Sequence, residues 1–172
     1  ERGAIVVDKR LHTTADNIWA MGDVTGGLQF TYISLDDYRI VRDELLGEGK
    51  RSTDDRKNVP YSVFMTPPLS RVGMTEEQAR ESGADIQVVT LPVAAIPRAR
   101  VMNDTRGVLK AIVDNKTQRM LGASLLCVDS HEMINIVKMV MDAGLPYSIL
   151  RDQIFTHPSM SESLNDLFSL VK

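Results

Sequence analysis

One cysteine, Cys127, stands in the 172-residue chain. It cannot make an internal disulfide, and no C-x-x-C spacing pairs it for zinc or dithiol chemistry. No apolar run approaches the roughly 20 residues of a membrane-spanning helix, and no series of charged, apolar and small residues marks a secretory leader. Long basic runs are missing too. With a net charge of −3, the chain has no electrostatic footprint for nucleic acid or an anionic membrane. G-x-G-x-x-G occurs nowhere, so the phosphate cradle of a dinucleotide site is absent from these residues. The sequence reads as cytoplasmic, with neither nucleic acid nor membrane as partner and no metal site.

What is present is a hydrophobic share of 43%, enough for one good core. The chain opens on Glu1 with a strand-like run, Ala4–Val7, almost at once, and reads as entered in mid-domain. Ala4–Val7 and Ile18–Met21 are short apolar runs between polar turns, the pattern of parallel strands buried on both faces. Tyr38, Val41 and Leu45 then recur at helical spacing up to a glycine stop at Gly47. Residues 1–46 thus read as β, β, α. Residues 47–58 hold no apolar residue to offset the entropy of ordering, and read as a linker.

Residues 59–172 read as an α+β domain: an antiparallel sheet with flanking helices. Tyr61–Met65, Ser70–Met74, Ile86–Ala95, Val108–Val113 and Met120–Val128 have strand patterns, with a hairpin turn at 114–116. Three capping boxes open helices: Thr75 with Gln78, Asp129 with Glu132, and Ser159 with Glu162. Behind the second lie Met133, Ile136, Val137, Val140 and Met141, with Gly144 and Pro146 as stops; behind the third lie Leu164, Leu167, Phe168 and Val171. Arg98 and Arg100 read as a solvated strand end or loop. Cys127 with His131 reads as a buried thiol beside a helix start rather than a metal pair.

Two stretches bear chemistry. Gly22-Asp23 closes the second expected strand, at the sheet edge where ligands of α/β folds sit, and a helix start follows it. The carboxylate suits a sugar or ribityl hydroxyl; a plain turn is the alternative. His157, in THPSMSE, precedes a proline that disfavours a helical backbone for it. Glu162 lies within reach to favour the charged imidazole, making His157 a proton donor. The alternative is a surface histidine before an ordinary helix cap.

Together, Ile18-Trp19-Ala20-Met21-Gly22-Asp23-Val24 and His157-Pro158-Ser159-Met160-Ser161-Glu162 resemble two C-terminal signatures of the FAD-dependent pyridine nucleotide-disulfide oxidoreductases. The resemblance covers essentially the whole chain. It implies that residues 1–46 are a remnant of an α/β FAD-binding domain and residues 59–172 the domain through which a homodimer forms. It implies that Gly22 and Asp23 meet the ribityl chain of FAD and that Gln29, Phe30 and Thr31 lie against the flavin. His157 and Glu162 would form an acid/base pair reaching across the dimer to a thiol pair. NAD(P)H would be the electron donor, and a disulfide, another small molecule or a metal ion the acceptor. Serine at Ser159, where the family usually has threonine, is a mild departure. Gly27–Tyr32 is nearer the mercuric reductase branch, yet Leu170-Val171-Lys172 lacks that branch's terminal cysteine pair. The bacterial branch linked to reactive-chlorine resistance resembles the mixture best. The phosphate loop, nicotinamide domain and redox cysteines would lie before Glu1, so the chain alone is expected to hold no FAD and to be inactive. A stand-alone α+β dimerisation or binding module is the competing expectation.

Overall fold

The computed structural model describes residues 3–172, so the first two positions of the expected remnant lie outside the described residues. The chain forms two compact units, one ending at Lys57 and the other spanning Asn58–Lys172.

The first unit is built on helix α1 (Thr31–Leu46), which turns Ile33, Asp37 and Ile40 inward, the spacing of one helical face. The expected inner face of Tyr38, Val41 and Leu45 is displaced, and Tyr38 and Leu45 are exposed. The reason is polar. A carboxylate is buried only where partners meet it, and Asp37 accepts both the Gly22 N–H (2.7 Å) and a guanidinium hydrogen of Arg56. Ala4–Val7 and Ile18–Met21 form no parallel strands: their region holds an isolated antiparallel bridge, His12 to Trp19, and single bonds such as Ile5 N–H to Val24 O (2.9 Å). A doubly buried parallel strand needs neighbours on both edges, and among the described residues this unit supplies none. Ile5, Val6, Ile18 and Met21 are left exposed.

The apolar-poor stretch after α1 is held by charge. Asp43 accepts the N–H groups of Lys50 (2.7 Å) and Arg51 (2.9 Å). A reciprocal box between Ser52 and Asp55 caps a 3-10 turn at Thr53–Asp55, and Arg56 Nε reaches Asp36 at 2.7 Å. Burial opposes the Arg56 charge, but the two aspartates outweigh it and hold the guanidinium above its ordinary value.

The second unit is a five-stranded antiparallel sheet of β1 (Tyr61–Val63), β2 (Leu69–Gly73), β3 (Ile86–Pro92), β4 (Val108–Asp114) and β5 (Met120–Leu126), in the order β1-β2-β5-β4-β3. Period-2 alternation fixes its buried face. One cross-strand row runs Val72, Ala123, Ala111, Val89, and the next Ser70, Leu125, Leu109, Leu91. All eight are buried. Helix α4 (Ser130–Asp142) contacts β2 and β5, and α6 (Ser163–Ser169) contacts β3 and β4. β2 and β5 meet closely at Gly73 and Gly122, where a Cβ on Gly122 would lie 2.1 Å from the Met74 carbonyl. The hairpin between β4 and β5 turns on Asp114, whose carboxylate accepts the N–H groups of Lys116 and Thr117.

Helix α2 (Glu76–Glu81) starts with the expected box, Thr75 and Gln78 exchanging side-chain and backbone bonds. The second expected box is absent. Asp129 has φ +59° and caps nothing with its side chain; Ser130 is instead buried, bonded to Ser70 Oγ and the Pro68 carbonyl, both at 2.9 Å. The strand expected over 86–95 ends at Pro92. A 3-10 turn at Val93–Ala95 follows, then α3 (Pro97–Val101) with Pro97 in the first turn, where a missing N–H costs nothing. Arg98 and Arg100 are therefore helical, and Arg100 Nε donates to the Ala94 carbonyl at 2.7 Å. Past the stop at Gly144 and Pro146 an unexpected short helix, α5 (Ser148–Asp152), forms. Cys127 is fully buried, and burial pushes its thiol up to about 12, so it carries no thiolate chemistry.

Candidate functional site

α5 and α6 bracket the stretch that carries His157. Residues 154–159 make no backbone–backbone hydrogen bond among the described residues, so the segment is held by side chains: Phe155, partly buried against the core, and the contacts at its two ends. At the downstream end Met160, Ser163, Leu164, Leu167 and Phe168 are buried, and Phe168 lies against Tyr147 with ring centroids 6.1 Å apart. That apolar seat fixes where α6 begins, and with it Glu162.

Both Glu162 oxygens face His157 Nδ1, at 2.8 and 3.1 Å. A carboxylate only accepts, so Nδ1 bears the hydrogen and Nε2 is the nitrogen left to exchange a proton. The imidazole is 67% exposed and the glutamate side chain 30%; the ring is aimed by its carboxylate yet presented outward. The third expected box is half formed. Glu162 N–H donates to Ser159 Oγ (3.2 Å), while the glutamate carboxylate is taken by the histidine. Sequence spacing allowed either use of Glu162, and the fold combines its backbone in the cap with its side chain on the ring.

Asn165, which sequence reading passed over, grips the upstream end. Its Nδ2 lies 2.7 Å from the Leu150 carbonyl and 3.0 Å from those of Arg151 and Gln153. Its spacing three residues beyond Glu162 was visible, but α5, whose carbonyls it meets, was not.

In the first unit the structure brings Gly22 against α1. Gly22 has φ +76°, and a Cβ there would lie 3.0 Å from Ser34 Oγ, so glycine is needed both for the left-handed backbone and for the approach. Asp23 sits in the 3-10 turn Gly22–Thr25 with its side chain exposed and its carbonyl accepting the Gly26 N–H. Gln29 is exposed. Phe30 is half-buried at the cap position of α1 and stacks on Tyr32 (5.1 Å, 7° between planes), and Thr31 opens the helix. α1 begins without a side-chain cap, and the Ile33 and Ser34 N–H groups bond the Phe30 carbonyl. The Gly22–Thr31 stretch and the His157–Glu162 pair belong to different units.

Among the described residues no group of three His, Cys, Asp or Glu side chains is placed to hold a metal ion. No described helix is long and apolar enough to cross a membrane.

Residues 59–168 match the family model of the pyridine nucleotide-disulphide oxidoreductase dimerisation domain. Mercuric reductase from Staphylococcus aureus is 35% identical over 164 residues, 95% of this chain and 30% of that protein. Dihydrolipoyl dehydrogenase from Mycobacterium tuberculosis is 31% identical over 168 residues, 98% of this chain and 36% of that protein. Among solved structures, the HOCl-induced flavoprotein disulfide reductase RclA from Escherichia coli is 99% identical with a TM-score of 0.99, over all of this chain and 40% of that one. A Cu(II) complex of that reductase matches equally well. LpdA from Mycobacterium tuberculosis shares the fold alone, at a TM-score of 0.87 and 23% identity over 98% of this chain and 37% of that one. The chain thus spans about a third of the curated relatives it matches. The match over most of its length places the chain in the pyridine nucleotide-disulphide oxidoreductase family, with that family's dimerisation domain at residues 59–168.

Proposed function

We propose that the chain serves as the C-terminal part of a homodimeric, FAD-dependent NAD(P)H oxidoreductase that delivers electrons through a thiol pair to a disulfide or a metal ion. The observation that carries this reading is the bidentate seat of His157 Nδ1 on Glu162, with the imidazole 67% exposed on a dimerisation domain. A buried structural histidine would have both nitrogens satisfied inside its own fold. An exposed but oriented one suits a site completed by a second subunit.

Reduction of a disulfide adds two electrons and two protons as the S–S bond breaks. His157 Nε2 gives a proton to the departing thiolate and recovers it from solvent, and Glu162 holds the ring so that this nitrogen points at the sulfur. The Cu(II) complex of the similar reductase supports a metal ion as acceptor class; there His157 would take up the proton a thiol loses on binding the ion.

The first unit's residues fit FAD in part. The exposed Asp23 carboxylate suits the ribityl hydroxyls, and the N-terminal end of α1 at Gln29, Phe30 and Thr31 carries the positive end of the helix dipole, which suits the anionic edge of a flavin. FAD, when bound, would relay electrons from NAD(P)H to the thiols. No phosphate cradle is present in these residues, so the chain by itself is expected to purify without flavin absorbance.

The test is His157→Gln in the FAD-loaded protein. Acceptor turnover should fall about 10²- to 10⁴-fold, the range of a lost general acid/base, while rapid-mixing reduction of the flavin by NAD(P)H proceeds as before. Equal loss of both half-reactions would contradict the role.

A further inference from the structure

We propose that Asn165 is a positioning residue for the His157–Glu162 pair, a role that rests on the proton-transfer reading above. The last carbonyls of a helix have no partner within it and need donors from elsewhere. At the end of α5 the carbonyls of Leu150, Arg151 and Gln153 converge on one amide nitrogen, Asn165 Nδ2, at 2.7, 3.0 and 3.0 Å. Three acceptors around one atom assign it as the NH₂ end, with one hydrogen shared between two carbonyls. The same residue's backbone N–H bonds the Glu162 carbonyl at 2.9 Å.

Asn165 therefore holds both sides of the histidine. Its side chain grips the chain up to Gln153, four residues before His157, and its backbone belongs to the turn that carries Glu162. Between the grips, residues 154–159 have no backbone–backbone hydrogen bond among the described residues, and Ile154 is 95% exposed. Within the loop Phe155 is partly buried against the core and Pro158 restricts the backbone of His157, but no backbone hydrogen bond fixes the span from there to Glu162. The clamp at Asn165 closes the loop at a fixed span, so Glu162 meets Nδ1 with both oxygens. Leucine fills a similar volume and donates nothing; it would take from the three carbonyls the one protein donor that ties them to α6 and free the loop to swing. Loss of alignment by about an ångström lowers a rate about a hundredfold.

The experiment compares wild type, Asn165→Leu, His157→Gln and the double variant as full-length FAD-loaded protein, with both half-reactions timed and amide hydrogen exchange followed over residues 149–165. Asn165→Leu should slow acceptor turnover about ten- to a hundredfold, leave flavin reduction by NAD(P)H unchanged, and speed exchange in residues 149–165 alone. Added to His157→Gln it should cause no further loss, because it acts only through that ring. Asn165→Gln, which keeps the NH₂ donor, should recover part of the rate. Unchanged exchange in Asn165→Leu would overturn the clamp itself. An equal further loss in the double variant would overturn its action through His157 and leave it a purely structural residue. Full turnover by His157→Gln would refute the proton-transfer reading, and the positioning role with it, even where the exchange result held.

Discussion

The two units of this chain are stabilised by different physics. The second closes its own sheet: five strands pair edge to edge, and a continuous apolar face is covered by α4 and α6, with α5 packed against both helices. The first has one long helix, a handful of buried apolar residues (Leu11, Ala20, Ile33 and Ile40) and a set of carboxylates that gather backbone N–H groups and guanidinium ions. Apolar patterning alone predicts structure well where the sheet is complete within the segment. Where it is not, short apolar runs stay exposed and polar contacts decide which helix face turns inward.

Truncation of the apolar seat should have the largest effect on stability. Phe168→Ala removes a fully buried ring and should destabilise the second unit by about 3–5 kcal/mol, read as a drop in its thermal midpoint, and it should unseat the His157 loop with it. A midpoint unchanged within error would show that this unit is not governed by its core. In the first unit the matching weak point is charged. Asp37→Ala deletes a buried carboxylate that serves Gly22 and Arg56; because Arg56 keeps Asp36, the cost should lie near the lower end of the range for a broken buried pair, about 3 kcal/mol. Amide exchange should quicken in residues 20–57 and stay as it was beyond 58. Spread of the effect into the sheet would break the distinction between the units.

Smaller effects sharpen it. Thr75→Ala removes a reciprocal helix cap and should cost about 1 kcal/mol, seen by chemical denaturation as a shift of the second unit's midpoint alone. Acid should act mainly on the first unit's connecting stretch. The backbone N–H of Arg51, with those of Glu48 and Lys50, holds the Asp43 carboxyl below its ordinary 3.8. Its folded form titrates below its unfolded form, so its contribution is complete above about pH 4 and is lost as pH falls through the depressed value. Amide resonances of Glu48, Lys50 and Arg51 should shift together on acidification below pH 4. Independent movement of the three would contradict a shared acceptor. Asp114 is held down in the same way, chiefly by the Thr117 N–H, but the β-ladder on both sides of its turn should keep that hairpin paired over the same range.

The same contrast explains what the sequence made legible. Strand alternation in residues 59–172 gave the antiparallel sheet because inner rows such as Val72, Ala123, Ala111 and Val89 are apolar in register. Thr75 and Gln78 announced α2, since a capping box is a local event. Asp129 did not cap α4, because the tertiary partner of that helix start is Ser130, bonded to residues some sixty positions earlier. α5 is only five residues long and too short to show a helical period. For the site, the closeness of His157 and Glu162 could be read from spacing. The exposure of the imidazole and the clamp at Asn165 could not, since each depends on where α5 ends relative to α6. The inward face of α1 was misread for a related cause: the residue that sets it is Asp37, a buried charge that hydrophobic periodicity counts as a surface position.

The central claim, that His157 completes a site belonging to the other subunit, is tested most directly with mixed dimers. Subunits carrying His157→Gln are combined with subunits lacking the redox thiol pair, each kind being inactive in its own homodimer. If His157 acts across the interface, every mixed dimer has one site with both an intact thiol pair and an intact histidine, and acceptor turnover should return to about half the wild-type value per dimer, from the two-fold symmetry of the assembly. Mixed dimers as inactive as their parents would contradict the account and place the histidine's work, if any, within its own subunit.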